Sequence, residues 1–96
     1  MLVIFTGEIN GFTVSITEGD GYFCGYIHLP PDHPYFAIDY DQIRVPVRGG
    51  WTFSNLDDNG YWKIGFDTAH PSEANWTSGH VYDELARVAC SALMWS

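Results

Sequence analysis

The sequence predicts an α+β domain in two layers, an antiparallel sheet of about five to six strands with one C-terminal helix packed on it. Three observations carry that expectation. Apolar and polar residues alternate with period two through most of the first two thirds of the chain. Turn signals of the Asn-Gly and Gly-Asp-Gly kind punctuate the alternation, and the apolar spacing becomes helical only from about Ser78.

Leu2 to Ile9 reads as the first strand, and Asn10-Gly11 is the strongest short hairpin signal in the chain. Phe12, Val14 and Ile16 then alternate with Thr13, Ser15 and Thr17, which gives the second strand an apolar face and a hydroxyl face. Gly19-Asp20-Gly21 turns the chain into a third strand, Tyr22 to Leu29, where Phe23, Gly25 and Ile27 oppose Tyr22, Cys24 and Tyr26. Gly25 inside a strand signals a bulge or the close approach of another group.

Pro30-Pro31-Asp32-His33-Pro34 cannot continue a strand, because prolines remove donors and bias their neighbours, so an exposed loop is expected. Ile43, Val45 and Val47 alternate with Arg44, Pro46 and Arg48, and Pro46 argues for a strand at a sheet edge. Gly49-Gly50 turns into a strand at Trp51-Thr52-Phe53, and a polar loop from Ser54 to Gly60 leads into a last strand, where Trp62, Ile64 and Phe66 alternate with Tyr61, Lys63 and Gly65. Pro71 to Asn75 reads as a loop. Beyond it Val81, Leu85, Val88 and Ala92 fall on one helical face, widened by Tyr82, Ala89 and Leu93. Thr77 or Ser78 is the expected N-cap, with Asp83 and Glu84 near the favourable end of the helix dipole.

At 96 residues the chain has room for one hydrophobic core, and residues 1–96 are read as one domain. Its 46% hydrophobic and 17% aromatic content excludes a disordered acidic tail. The apolar runs are shorter than the ~18 residues a spanning helix needs. Met1-Leu2-Val3-Ile4-Phe5 lacks the basic residues of a signal peptide, so a soluble cytoplasmic protein is expected. Cys24 and Cys90 are too few for a disulfide framework and are expected to be buried free thiols.

Twelve acidic residues against four basic ones give a net charge of −8. Arg44, Arg48, Lys63 and Arg87 are too few and too scattered to contact a phosphate backbone, and anionic membranes are disfavoured for the same reason. The acidity serves solubility or forms an attractive face for a basic partner.

Three constellations carry candidate chemistry. His28, Asp32, His33, Asp39 and Asp41 have side chains of metal-binding type, although Asp32-His33 is as well explained by capping a local turn. Asp67 and His70 stand at a strand end, suited to binding or acid–base work, or to bonding loop amides and anchoring the chain. Arg48-Gly49-Gly50-Trp51 offers backbone, cation and indole to an anion or a base, or is simply a tight turn. No Ser-His-Asp order, nucleophilic Cys with a matched His, or paired-carboxylate motif stands out. The surplus of Trp and Tyr is the composition of an interface.

From about Cys24 to Leu93 the chain resembles an uncharacterised family of small proteins in bacteriophage and bacterial genomes. The matching stretches are Cys24-Gly25-Tyr26-Ile27, Pro30-Pro31-Asp32-His33-Pro34, Asp39-Tyr40-Asp41, Gly49-Gly50-Trp51-Thr52-Phe53 and Gly65-Phe66-Asp67-Thr68-Ala69-His70, with a weaker one at Tyr82-Asp83-Glu84-Leu85-Ala86. Arg48 departs from the pattern, where relatives commonly carry His. The resemblance implies a phage context and a shared site at Asp39, Asp41, Gly49, Gly50, Asp67 and His70.

A small acidic phage-type protein without recognisable catalysis is expected to act by binding. The leading expectation is an anti-CRISPR-like inhibitor of a host defence complex. Its acidic face, Asp20, Asp32, Asp39, Asp41, Asp57 and Asp58 with Tyr35 and Trp51 as anchors, would compete for the basic nucleic-acid surface of a host protein such as a CRISPR effector. The alternative is a protein that sequesters a nucleotide signal through Arg48, Gly49, Gly50, Trp51, Asp67 and His70. A metal-dependent hydrolase using Asp39, Asp41, Asp67 and His70 is the third. No cofactor is expected.

Overall fold

The computed structural model describes residues 1–70 and 73–95. Five antiparallel strands form one open sheet: β1 (Leu2–Ile9), β2 (Phe12–Gly19), β3 (Tyr22–Leu29), β4 (Phe53–Leu56) and β5 (Trp62–Asp67), in the order β1-β2-β3-β5-β4. One helix, α1 (Ser78–Ala89), follows, and a 3-10 turn covers Ala92–Trp95. The two hairpins belong to the same sheet because β5 inserts beside β3, pairing Ile27 with Ile64 and Tyr26 with Gly65.

The alternation read in the sequence sorts residues onto two faces. Phe12, Val14, Ile16, Ile27, Leu29, Ile64 and Phe66 form the buried face, met by Val81, Leu85, Val88 and Ala89 of α1. A Cβ on Gly25 would stand 2.8 Å from both Phe66 and Val81, so the glycine marks the close approach of α1 rather than a bulge. Burying this apolar surface is the main favourable contribution to folding.

Twelve helical residues cannot cover five strands, and the segment between β3 and β4 completes the layer. Tyr35, Val45, Val47 and Trp51 from that segment enter the core, and Trp51 meets Phe66 edge-to-face at 6.0 Å. The expected edge strand over Ile43–Val47 does not form. Its alternation survives as burial of Val45 and Val47, but α1 supplies the partners that a ladder would: Arg87 donates to the Pro46 carbonyl (2.6 Å), and Glu84 accepts from the Arg48 N–H (2.7 Å). Pro46 itself has no N–H to give a ladder.

Four further expectations are corrected. The Pro-rich loop is not wholly exposed, since His33 is 4% exposed and accepts from the Tyr35 N–H through Nδ1 (3.0 Å), the turn-capping role its neighbourhood suggested. The strand placed at Trp51 begins at Phe53 and runs through Leu56, into the stretch read as loop. α1 ends at Ala89, so Ala92 and Leu93 are exposed beyond it and Met94 takes the buried position. Cys24 is buried but Cys90 is exposed, and both are free thiols. Thr77 is the N-cap: its Oγ1 accepts from the His80 N–H while His80 Nδ1 accepts from the Thr77 N–H. No acidic residue lies in the first turn, and Glu84 instead faces Arg87 and the Arg48 backbone. The part of the expected loop at Pro71 and Ser72 lies outside the described residues.

Candidate functional site

The side of the sheet away from α1 carries the polar half of each alternation. β2 contributes Thr13, Ser15 and Thr17. β3 contributes Cys24, Tyr26 and His28, and β5 contributes Lys63. Register sets the neighbours: Ser15 pairs with Tyr26, Thr13 with His28, and His28 with Lys63. Ser15 and His28 are therefore diagonal neighbours on one face, within reach of each other.

The turn between β4 and β5 brings the third residue. Asp57 Oδ1 accepts from the N–H groups of Asn59 (2.8 Å) and Tyr61 (2.9 Å), and the Asp57 N–H donates to the Tyr61 carbonyl (2.8 Å). Gly60 closes this turn at φ +80°, a conformation that favours glycine. With Oδ1 committed to the turn, Oδ2 is aimed at His28 Nδ1, 2.8 Å away. On the other side of the ring, His28 Nε2 lies 3.1 Å from Ser15 Oγ.

Chemistry assigns the protons. An ionised carboxylate only accepts, so Nδ1 donates to Asp57 and the neutral ring leaves Nε2 to accept from the Ser15 hydroxyl. Burial works to raise the Asp57 carboxyl, and the hydrogen bonds from His28, Tyr61 and Asn59 together outweigh it and hold the group below its ordinary value. Asp57 thus remains a carboxylate that fixes the tautomer and tilt of His28. His28 and Asp57 side chains are only 15% and 12% exposed, and Ser15 is 9% exposed.

Around this array the face is amphipathic. Lys63 Nζ stands 4.9 Å from the Tyr26 ring centroid and 5.4 Å from that of Phe53, a position favoured by the rings' negative faces. Burial, reinforced by Cys24, pushes the Tyr26 phenol up to about 12, so it is a neutral hydrogen-bonding group. Burial also raises the Cys24 thiol, which disfavours the thiolate a nucleophilic cysteine needs. Thr17 Oγ1 is buried beside the Cys24 thiol and the Tyr26 phenol. The face holds a cavity of about 540 Å³ lined by Ser15, Tyr26, His28, Asp57, Tyr61 and Lys63, with Val3, three threonines and Asn59 completing the wall.

The residues singled out from sequence lie elsewhere, His28 and Asp57 excepted. Asp32, Asp39, Asp41 and Asp58 are exposed. Asp58 and Asp32 follow β4 and β3 at one end of the sheet, whereas Asp20 lies in the β2–β3 turn at the opposite end. Tyr35 and Trp51 are core residues rather than surface anchors. The Tyr35 hydroxyl donates to the Leu93 carbonyl and the Trp51 indole to the Val45 carbonyl.

In the double-glycine loop, Gly49 and Gly50 adopt φ +77° and +85°, and a Cβ on Gly49 would meet His70 at 2.9 Å. Arg48 is drawn to the buried Glu73, 3.0 Å from its Oε1. Asp67 accepts from the Ala69 N–H and the Thr52 hydroxyl and lies 3.4 Å from His70 Nε2. These residues do come together around a turn, with Trp51 turned into the core, and they do not line the cavity.

The metal constellation does not gather. His28 faces the open side and is held by Asp57, while His33 is on the core side against Phe12 and Trp95. Among the described residues no three His, Cys, Asp or Glu side chains are close enough to hold a metal ion, so Asp39, Asp41, Asp67 and His70 do not form a centre.

The array of Ser15, His28 and Asp57 was not read from sequence, because 13 residues separate Ser15 from His28 and 29 separate His28 from Asp57. The signal that existed was the hydroxyl face of β2. Pairing β2 with β3 across the Gly19-Asp20-Gly21 turn would have placed Ser15 near His28, but nothing local predicts that the β4–β5 turn reaches the same face. Compared with known protein families, curated protein sequences and solved structures, the chain matches none.

Proposed function

We propose that the protein binds a small, anionic, ring-bearing ligand on the open face of its sheet. The observation that carries this reading is the cavity of about 540 Å³ into which a cation, an ordered Ser-His-Asp array and two tyrosines converge. Its size falls within the ~300–1,000 Å³ of small-ligand sites. Lys63 supplies charge, and Tyr26 and Tyr61 supply ring faces. The reading keeps the class of a ligand-sequestering protein and moves its site from the double-glycine loop to the sheet.

Thermal unfolding with a panel of nucleoside monophosphates and aromatic carboxylates tests it. A ligand at about 100 times its Kd stabilises the native state by about 2.7 kcal/mol. That corresponds to a rise on the order of 10 °C for a domain of this size. Lys63→Met is expected to abolish the rise with little change in the unliganded midpoint. A rise that survives Lys63→Met would remove the open face as the site.

A second reading, inhibition of a host defence complex through its basic nucleic-acid surface, is supported by the exposed Asp32, Asp39, Asp41 and Asp58 and the net charge of −8. Pull-down from a bacterial lysate expressing defence systems, repeated at low and high salt, tests it. A nucleic-acid-binding partner released by salt is the expected outcome, and binding indifferent to reversal of those four charges would count against it.

A further inference from the structure

We propose that Ser15 is an acyl-transfer nucleophile and that the open face hydrolyses a small ring-bearing carboxylic ester whose carboxylate product is the anionic ligand of the binding reading above, on which this inference rests. Ser15 Oγ, His28 Nε2, His28 Nδ1 and Asp57 Oδ2 form one chain of contacts at 3.1 and 2.8 Å, in the order a serine hydrolase requires. The geometry exceeds what satisfying three buried polar groups demands. Asp57 is pre-aimed by two backbone donors on its other oxygen, and the nucleophile end of the array borders the cavity.

The chemistry balances with water as co-reactant. Ser15 Oγ bonds to the ester carbonyl carbon while its proton passes to His28 Nε2. The carbon–alkoxide bond breaks, and the departing alcohol takes that proton. Water then attacks the acyl group, gives a proton to His28, and the Ser15 Oγ–carbon bond breaks as Oγ recovers the proton. The products are a carboxylic acid and an alcohol. Asp57 stays ionised throughout and stabilises the imidazolium that forms twice in the cycle.

The fold also narrows the substrate. Ser15 sits on an interior strand paired on both sides, with Thr6 and with Tyr26, so the ladder takes up the backbone beside it and leaves no pair of strand amides for a developing oxyanion. Lys63, facing the same cavity from β5, is the group that meets that charge. A single ammonium group stabilises an oxyanion less than a pair of pre-aimed amides does. This suits an ester, whose alkoxide departs more readily than an amine from an amide.

The decisive experiment treats the purified full chain with a small fluorophosphonate and maps adducts by peptide mass spectrometry. Phosphorus bonds to the serine oxygen, fluoride leaves, and the proton passes through His28 to solvent. The expected result is one adduct per chain on Ser15, lost in Ser15→Ala and slowed on the order of 10²–10⁴-fold in Asp57→Asn. Hydrolysis of p-nitrophenyl acetate should fall in parallel in both variants. Thermal shift with the ligand panel is read alongside, on wild type and Ser15→Ala. Labelling confined to other residues, or no labelling of wild type while the panel still stabilises it, overturns the hydrolase and leaves the binding site standing. Absence of both labelling and stabilisation overturns both.

Discussion

Asp57 does two jobs with one carboxylate, organising the β4–β5 turn through Oδ1 and orienting His28 through Oδ2. Asp57→Asn keeps an acceptor for the turn but puts an amide, in one of its two orientations, against the His28 N–H. Loss of such charge-assisted bonds costs about 1.5–3 kcal/mol, to be read by urea denaturation at neutral pH. Asp57→Ala is expected to cost more, because it also leaves two backbone donors without their acceptor. His33 makes a separate prediction. Burial lowers its pKa from 6.5, so the unfolded chain takes up a proton before the folded one does. Its contribution is complete above about pH 6.5 and is lost as pH falls through the lower folded value. Asp57 and Glu84, both held below their ordinary values of 3.8 and 4.5, matter only at more acidic pH. Comparing stability at pH 7.5 and 5.5, His33→Phe should lose less on acidification than wild type. Equal losses would show that His33 is not the group responsible.

At the scale of elements, β1, β2, β3, β5 and the start of α1 were legible because each wears its periodicity openly, down to the hairpin at Asn10-Gly11 and the Thr77 cap, whereas β4 lies in a stretch too polar to alternate. Ile43–Val47 misled because alternation reports burial on one side, not ladder pairing. Its carbonyl and amide partners come from Arg87 and Glu84, 41 and 36 residues away, and no local pattern encodes that. The candidate site was less legible for the same reason, its three members being assembled by register and by one turn. Gly25 tests the packing of α1 on β3. Gly25→Ala is expected to destabilise by about 1–3 kcal/mol, since the added carbon would press on Phe66 and Val81 at 2.8 Å. Thr77→Ala should cost about 1 kcal/mol, from loss of the cap. A Gly25→Ala variant as stable as wild type would mean that α1 can retreat from the sheet.

The whole molecule divides into a covered side and an open side. α1 and the long segment between β3 and β4 close one face of the sheet over the core, and the opposite face keeps its polar array around a cavity. Among the described residues no helix is long and apolar enough to cross a membrane. The acidic residues spread over both ends of the sheet, so net charge by itself names no face, and the polar groups converge instead on the open side. Amide chemical-shift mapping is the direct test of that convergence. Isotope-labelled protein would be titrated with the member of the nucleotide and aromatic carboxylate panel that stabilises it best. The account predicts perturbations at Ser15, Tyr26, His28, Asp57, Tyr61 and Lys63. Perturbations confined to Gly49, Gly50 and His70, with the open face unmoved, would contradict it.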